Sequence, residues 1–416
     1  MEYINMALGL NRNARLFLAH TILSGLAIAL LALLYNLYIL SLGFKEDMIG
    51  NVTLLACTVS VIAALPLGFV LNQLGYKRAF LFAIVMTAFS MILPLVFPTG
   101  AALLVCELFW GIGFTLLIIA GGPFMTENST AEQRAHLFSL QFVLTTLTAF
   151  VGNLLGGELP RWFAGVFRVS AESPQAYQGA LAVSAALMLA SAIPLFWVRR
   201  AAQKQPSAVR PRLTIHHRAR AAKLLTPYII GAFGAGMFVP FANVLWRTTQ
   251  NVSDVTIGNI FALSALVMAV FGMLSPLLAR RFGGVRVMVV AQGSAVIGLL
   301  AFGSSPIFGI ALAGYLMRDV LMNLTRPLYS QFMMDASEPM ERAAVSCLAT
   351  MGFNLAWGVS SWISGVWQTE NNLAWVFVAS AGFYLASTFA LQWFFGKQSK
   401  KQANENAARV IVSLAE

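Results

Sequence analysis

Charged residues are scarce in this sequence: Asp, Glu, Lys and Arg together make up 10% of its 416 residues. A soluble globular domain carries about 25%, so this composition excludes a soluble protein. Cysteine is scarce as well, and Cys57, Cys106 and Cys347 each lie inside an apolar stretch. Their spacing matches no ligand cluster, so we expect neither a disulfide framework nor a metal site.

The short motifs of common enzyme chemistry are also missing. The chain has no Gly-x-x-x-x-Gly-Lys-Ser/Thr loop, so we expect no ATP hydrolysis. It has no His-Glu-x-x-His, Cys-x-x-Cys or Gly-x-Ser-x-Gly pattern, and its four histidines are scattered. We therefore expect no enzyme and no cofactor, and any work that the protein does must draw on a gradient or run downhill.

Apolar residues are abundant: hydrophobic residues make up 58% of the chain, and the mean hydropathy is +0.75. Stretches of about 20 such residues are typical of membrane-spanning helices. Twelve of them follow one another, the first at 16–41 and the last at 373–395. Strand-like alternation is absent. The sequence predicts an all-α membrane protein with twelve transmembrane helices, of which the first is too long for a signal peptide.

The net charge of +11 indicates membrane topology rather than nucleic-acid binding. With twelve spans, the only basic residues in external segments are Lys45, Arg161, Arg168 and Arg247. By the positive-inside rule, both termini then lie in the cytoplasm. We expect a monomer in the bacterial plasma (inner) membrane, surrounded by the lipid bilayer and without a nucleic-acid partner.

One gap-free offset of 208 residues relates the two halves of the chain. The matching landmarks are Gly50 with Gly258, Gly75 with Gly283, Glu127 with Asp335, Arg134 with Arg342, and Gly157 with Gly365. Repeated halves are typical of transporters built from two helical bundles. We predict two pseudo-symmetric six-helix bundles at 1–198 and 224–396, a cytoplasmic basic linker at 199–223 and a cytoplasmic tail at 397–416. The linker is interpreted as a flexible connector near anionic headgroups, with a regulatory site as the alternative.

The loop between spans two and three carries Gly68, Asn72, Gly75, Lys77 and Arg78. Glycine allows a tight turn between two helices, and basic residues can neutralise the C-terminal carbonyls of a helix. This loop resembles the short cytoplasmic signature of the major facilitator superfamily. The family has an aspartate where this chain has Asn72, which can hydrogen-bond a helix end but cannot form a charged latch.

The second half repeats this loop in degenerate form, with Gly283 and Arg286 at the matching positions. The charged residues after spans four and ten also resemble the superfamily: Glu127 and Arg134, with their repeats Asp335 and Arg342. An acid that ends one helix and a base that opens the next can bridge the cytoplasmic loops and brace one closed state. The alternative is that they are ordinary solvated loop charges.

Span five ends with Gly152, Asn153, Gly156 and Gly157. This stretch is similar to the signature of drug-exporting antiporters in the superfamily, although Asn153 replaces the usual proline. Small residues at this spacing allow helices to approach closely, so generic helix packing is the alternative. The resemblance is nearest to the drug:proton antiporter branch, but span one lacks the acidic residue that many drug exporters have.

The resemblance covers the whole chain and implies the fold and mechanism of the superfamily. Its members work by alternating access around a midplane cavity that spans one, four, seven and ten line. The ionisable residues inside the predicted spans are therefore of most interest: Glu107 in span four, and Arg318, Asp319 and Arg326 in span ten. Such groups are costly in a bilayer unless they are paired or hydrated, and they mark a pathway.

The polar residues of span ten are expected to share one helical face. Tyr315, Asp319, Asn323 and Arg326 recur at spacings of four, four and three. The 208-residue offset places Tyr315 over Glu107 and Arg318 over Trp110, so both faces should point to one axis. Weaker pathway candidates are Asn36, Trp110, Asn243 and Trp246, whereas His20 near the inner end of span one is expected to be interfacial.

Several roles remain open for these charges. Asp319 or Glu107 is the predicted proton-titrating group, and Arg318 is its counter-charge or the anchor of an anionic substrate. A structural ion pair is the alternative. The leading function is proton-coupled efflux of a small amphiphilic compound. The alternative is uptake or exchange of an anionic metabolite at Arg318, and a transporter-like receptor is the remote third.

Overall fold

The structure, a computed structural model, describes residues 10–199 and 216–415, with side chains described up to residue 396 except that of Ala131. These residues form thirteen α-helices and one short 3-10 turn. The helices are α1 (Arg12–Ser41), α2 (Glu46–Val96), α3 (Gly100–Glu127), α4 (Ala131–Phe167), α5 (Pro174–Ala190), α6 (Ala192–Phe196), α7 (Arg218–Phe238), α8 (Ala242–Gln250), α9 (Asp254–Phe282), α10 (Gly284–Ser304), α11 (Phe308–Ala336), α12 (Arg342–Thr369) and α13 (Leu373–Ala415).

Ten stretches of helix within the described residues are long and apolar enough to cross a membrane. Helix α2 counts once among them, although its 51 residues would extend about 75 Å, far beyond the roughly 30 Å of bilayer core. It therefore contains spans two and three. Helix α11 is missing from the ten because its interior charges lower its hydropathy. Counting α2 twice and adding α11 gives twelve spans, and the predicted all-α, twelve-helix membrane class is confirmed.

Gly75 and Gly283, the matched loop glycines, both adopt a backbone conformation that other residues avoid. Gly75 interrupts α2 at φ 70° and ψ 162°, and Gly283 precedes α10 at φ 86° and ψ 133°. Positive φ costs glycine little because it has no Cβ. The chain thus reverses between adjacent helices at equivalent points of both halves.

The helices group into two compact units, Met1–Val209 with Asn243–Ala265 in the first, and Arg210–Ala242 with Leu266–Glu416 in the second. In the first, α1 packs against α4 and α5, and α2 packs along α3. The second repeats this pattern, since α7 packs against α12 and α13, and α10 packs along α11. Pairing of equivalent spans in each unit is the structural counterpart of the sequence repeat.

The predicted domain boundaries stay a prediction. The segment Asn243–Ala265, from the second sequence half, groups with the first unit. Of the predicted linker, residues 200–215 lie outside the described residues, and the part from Arg218 onward is already helix α7. Helix α13 continues through most of the predicted tail, as far as Ala415, and residue 416 is not described.

Large apolar side chains cover much of the outer surface of the helices. Met273, Trp393 and Phe69 are 75%, 74% and 70% exposed. Soluble monomers rarely expose large contiguous apolar patches. In a lipid bilayer these side chains contact acyl chains, so their exposure carries no hydrophobic cost. Such a surface is expected of a membrane-spanning protein.

Close helix contacts inside the second unit depend on glycine. A Cβ on Gly314 of α11 would lie 2.5 Å from the carbonyl oxygen of Gly298, and one on Gly298 of α10 would lie 2.6 Å from the carbonyl oxygen of Gly314. Two backbones thus meet directly, which is how small residues drive helix association in membranes.

We predict that Gly298→Ala and Gly314→Ala each lower the free energy of unfolding by about 1–3 kcal/mol, because the added methyl group overpacks the contact. Gly293→Ala is the matched control. Gly293 lies on the same helix as Gly298, and nothing lies within 4 Å of its Cβ position. Unfolding by SDS in mixed micelles measures the difference. Equal stability of all three variants would contradict the packing account.

Candidate functional site

Arg318 lies in the interior of the second unit, with 2% of the residue exposed. Its guanidinium carbon lies 4.8 Å from the ring centre of Phe238 and 5.5 Å from that of Tyr384. Nη2 donates a hydrogen bond to the Tyr384 hydroxyl, and Nη1 lies 3.4 Å from Oδ1 of Asp319. Aromatic faces and a carboxylate together stabilise a cation that would be costly unpaired in an apolar interior.

The neighbouring polar residues of α11 are linked to each other. The side-chain amide of Asn323 donates to the backbone carbonyl of Asp319 at 2.8 Å and to its Oδ1 at 3.2 Å. The guanidinium of Arg326, one turn further, lies 5.9 Å from the ring centre of Phe353. Asp319 therefore accepts hydrogen bonds from both Arg318 and Asn323, which hold its side chain in place. That side chain is 17% exposed.

These residues line a cavity of about 110 Å³ within the second unit. Among its lining residues are Tyr228, Gln292, Arg318, Asp319, Asn323, Arg326, Phe353 and Trp357. Two guanidinium groups face one carboxylate there, so the cavity carries an excess of positive charge beside aromatic faces. Tyr315 belongs to the predicted stripe but packs against Phe302 at a centroid distance of 5.8 Å instead of lining the cavity.

Glu107 lies buried in the first unit, with 7% of the residue exposed. Its carboxyl group has two hydrogen-bond partners, the Tyr35 hydroxyl and the Cys106 thiol, whose Sγ lies 3.8 Å from Oε1. The Tyr35 hydroxyl also lies 3.2 Å from Cys106 Sγ. No Lys or Arg among the described residues forms an ion pair with Glu107. This acid therefore has neutral partners, whereas Asp319 has a cation.

The weaker pathway candidates have separate surroundings in the first unit. The Trp110 ring stacks on Phe114, with 5.0 Å between the ring centres. The Asn243 amide donates to the Leu33 carbonyl at 2.7 Å, and Asn36 donates to Asn243 at 3.4 Å. Trp246 is fully buried. Asn36 and Asn243 thus lie at a helix contact, whereas Trp110 stacks on a residue of its own helix, one turn from Glu107.

A second cavity, of about 660 Å³, lies within the first unit. Its lining is mainly apolar and includes Phe17, Phe114 and Phe138. His20 also lines it and is buried inside the unit, with 5% of the residue exposed, and its predicted place at the membrane interface stays a prediction. The reason for its burial is tertiary: the ring packs beside the paired rings of Phe17 and Phe80, with centroid distances of 5.9 Å to both.

The glycines at the end of span five lie at helix contacts. A Cβ on Gly152 would lie 2.6 Å from the Cβ of Ala29, and one on Gly156 would lie 2.8 Å from Cδ2 of Leu33. Gly157 meets the start of α9, where its Cβ would lie 2.9 Å from the carbonyl oxygen of Asp254. All three positions bring helix α4 close to a neighbour.

Beside this contact lies a buried network that the sequence did not indicate. Arg247 donates to the Tyr177 hydroxyl at 2.7 Å and forms an ion pair with Asp254. The Tyr177 hydroxyl donates to the other oxygen of Asp254 at 2.6 Å. Charge-assisted bonds of this kind fix helix α5 against the segment that joins α8 and α9.

The predicted loop charges have partners other than those expected. Arg134 donates to the carbonyl of Thr126 at 3.4 Å, and its repeat Arg342 donates to that of Met334 at 2.9 Å. In both halves the arginine thus satisfies a carbonyl at the end of the preceding helix. Asp335, Arg286, Arg78 and Asn72 are exposed.

The carboxylate of Glu127 accepts a hydrogen bond from the Tyr76 hydroxyl at 2.7 Å, and Lys77 donates to the carbonyl of Phe196. Burial and the hydrogen bond to Glu127 raise the pKa of Tyr76 above its usual value. Gly68 has no neighbour within 4 Å of its Cβ position, so the structure gives it no packing constraint.

An acid that the sequence analysis did not single out holds the start of α7. The carboxylate of Glu341 accepts from the backbone N–H groups of His216 and His217, the latter at 2.9 Å. The bond from His217 lowers the pKa of Glu341, and that from His216 adds to the effect. The side chain of His217 lies 3.1 Å from Glu338. The only feature of the sequence that could have indicated this acid is the change from apolar to charged residues at 338–342.

Comparisons with known proteins agree with this architecture. A sequence profile of the Major Facilitator Superfamily matches residues 17–238 and again residues 224–415. An uncharacterized MFS-type transporter, YhhS of Salmonella typhimurium, is 26% identical over 153 residues, which span 36% of this chain and 38% of that protein.

Solved transporter structures share the fold. The nucleoside transporter NupG superposes with a TM-score of 0.69 at 16% identity, covering 91% of this chain and 99% of that one. A D-xylose-proton symporter gives 0.69 at 13%, covering 91% and 96%. At such identities the likeness shows the fold, which confirms the predicted arrangement of two six-helix bundles.

The pKa of Glu341 predicts a pH-dependent contribution to stability. Because its folded-state pKa lies below the ordinary value of about 4.3, the contribution is present above that value and is lost as the pH falls through the folded-state pKa. We expect Glu341→Gln to lower the thermal unfolding midpoint in detergent near pH 7, and the difference from wild type to shrink below pH about 4.

The control is Glu172→Gln, at an exposed acid in the first unit, which should leave the midpoint unchanged. A Glu341→Gln difference that is constant with pH, or that grows on acidification, would show that the carboxylate charge does not stabilise the start of α7.

Proposed function

Since this chain belongs to the Major Facilitator Superfamily, we propose that it exports a small amphiphilic organic compound with an anionic group in exchange for protons. Membership makes the chain a multi-pass membrane protein and a secondary transporter rather than an enzyme. The substrate class, the direction and the coupling to protons are our proposals. So are alternating access in the bacterial inner membrane and cytoplasmic termini.

The excess positive charge of the cavity at Arg318 is the observation that carries the choice of substrate. Asp319 neutralises one of the two guanidinium groups, and its 3.4 Å contact with Nη1 is at the long end for a charged hydrogen bond. A carboxylate, sulfonate or phosphate of the substrate can take over that donor at little cost. Arg326 supplies the second positive charge, and Phe353 and Trp357 supply apolar contact.

The surroundings of the two acids favour Glu107 as the proton carrier. Asp319 is bound to Arg318 and Asn323, so protonating it would break a charged network. Among the described residues, the hydrogen-bond partners of Glu107 are the neutral groups of Tyr35 and Cys106. A carboxylate without a neighbouring cation is costly in an apolar interior. Protonation removes this cost, so Glu107 can take up a proton when the pathway around it is closed.

Uptake or exchange of a small anionic metabolite is the second candidate. The modest size of the cavity at Arg318, about 110 Å³, favours it. The amphiphilic class is favoured instead by the large apolar cavity of the first unit. The candidates differ in the apolar area of the substrate, which a matched set of compounds can vary.

The test is uptake into proteoliposomes with an acidic interior, where proton efflux drives an exchanger to accumulate its substrate. The probes are 2-naphthalenesulfonate, an amphiphilic anion, succinate, a small anion, and ethidium, an amphiphilic cation. We expect gradient-driven accumulation of 2-naphthalenesulfonate, lowered about 10- to 100-fold by Arg318→Ala, because a charge-assisted bond is worth about 1.5–3 kcal/mol. Glu107→Gln should abolish the stimulation by the pH gradient.

Arg161→Ala and Glu172→Gln are the controls, since both change exposed residues and should leave transport intact. Transport of succinate but not of the naphthalene compound would favour the second candidate. Accumulation of ethidium alone, or of the sulfonate at an unchanged rate in Arg318→Ala, would overturn the anionic substrate class.

A further inference from the structure

The apolar cavity of the first unit has no charged side chain among its lining residues. Phe17, Phe114 and Phe138 give it an aromatic wall, and its volume is about 660 Å³. Pockets of this kind bind apolar groups and fix their orientation with a few polar atoms. The polar side chains of the lining are three hydroxyl groups, the amides of Gln141 and Asn153, and the imidazole of His20. Both amides are partly exposed, whereas His20 is buried.

The hydroxyl groups of the α1 face are already engaged. Thr21 donates to the carbonyl of Phe17 at 3.0 Å, and Ser24 donates to that of His20 at 2.8 Å. On α4, Thr145 donates to the carbonyl of Gln141 at 2.9 Å. Each hydroxyl proton is used within its own helix.

The hydrogen bond to Ser191 fixes the tautomer of His20. Nδ1 lies 3.1 Å from the backbone carbonyl oxygen of Ser191. A carbonyl oxygen only accepts, so Nδ1 must carry the proton. In the neutral ring, Nε2 then has a lone pair and no proton.

The position of the ring directs Nε2 to the cavity. Ser191 is not part of the lining, whereas His20 is. Because Nδ1 is bonded to Ser191, Nε2 is the ring nitrogen that remains for a ligand of the cavity. The aromatic neighbours of the ring are Phe17 and Phe80, which also contact each other. No carboxylate lines this cavity to stabilise an imidazolium, so His20 is a hydrogen-bond acceptor there.

We propose that this cavity is a binding subsite for an aromatic or similar apolar group that carries one hydrogen-bond donor, a hydroxyl or an amine, which His20 accepts at Nε2. The inference rests on the proposed function, since the ligand of this subsite belongs to the proposed class of amphiphilic substrates. It adds a specificity-determining residue that the polar stripe of α11 does not supply.

A pair of ligands and a pair of variants test this subsite. The ligands are 2-naphthol and 2-methoxynaphthalene, which differ in the donor. Asparagine places its amide where Nδ1 lies and keeps the bond to Ser191, whereas glutamine places its amide where Nε2 lies. Binding of each tritiated compound is measured on the full chain in nanodiscs, with empty nanodiscs subtracted.

We expect wild type to prefer the naphthol about tenfold, as one hydrogen bond predicts. In His20→Asn the preference should fall to about twofold or less, while His20→Gln keeps most of it. A purely structural role for His20 predicts the opposite order, with His20→Asn like wild type and His20→Gln impaired. That order, or no preference in wild type, would overturn the proposal.

A second measurement uses the unmodified protein and so does not depend on how the variants fold. Diethyl pyrocarbonate modifies the unprotonated nitrogen of histidine, and mass spectrometry reports the rate at each site. Saturating 2-naphthol should slow modification of His20 at least about tenfold and leave that of the exposed His136 unchanged. Equal rates at His20 with and without naphthol would overturn the subsite.

Binding requires no transport, so the two proposals can fail separately. Naphthol-selective binding in a protein that moves no anion would retain the subsite and reject the export function. Anion transport without naphthol selectivity would do the reverse.

Discussion

The cost of placing a guanidinium group inside an apolar helical bundle governs the second unit. Arg318 is compensated by the Tyr384 hydroxyl, by two aromatic faces and by Asp319, and these partners come from three different helices. Because each partner is needed, α7, α11 and α13 are held in a fixed relation around the charge. The cavity beside Arg318 therefore has an excess of positive charge, which no other described lining residue neutralises. In the proposed function, a substrate anion completes this compensation at the same residue.

The first unit handles its buried polar groups differently. Glu107 relies on a phenol and a thiol, and His20 relies on a backbone carbonyl. None of these partners carries a permanent charge. The two units therefore repeat the same helix packing but differ at these sites: Arg318 is a fixed cation, whereas Glu107 and His20 are groups whose charge can change. This difference supports the proposal that the carrier exchanges an anion for protons.

Much of the fold was predictable because short stretches of the sequence determine it. Apolar runs specify the spans, and Gly75 and Gly283 specify where the chain turns, since only glycine adopts those dihedral angles at low cost. The position of Arg318 was also predictable, but its partner Tyr384 was not, because 66 residues separate them. Tyr35 and Glu107 are likewise far apart in the sequence, so their contact was not predictable either. The spacing of Glu127 and Arg134 indicated a pair, yet a nearby helix end offered Arg134 an unsatisfied carbonyl instead.

The division of roles between Glu107 and Arg318 is the central claim, and counterflow tests it most directly. Proteoliposomes loaded with unlabelled 2-naphthalenesulfonate are placed in labelled compound without a pH gradient, so that exchange needs substrate binding but no net proton movement. We expect Glu107→Gln to exchange at a rate within about twofold of wild type, and Arg318→Ala to exchange about 10- to 100-fold more slowly. Loss of exchange in Glu107→Gln, or wild-type exchange in Arg318→Ala, would contradict the account.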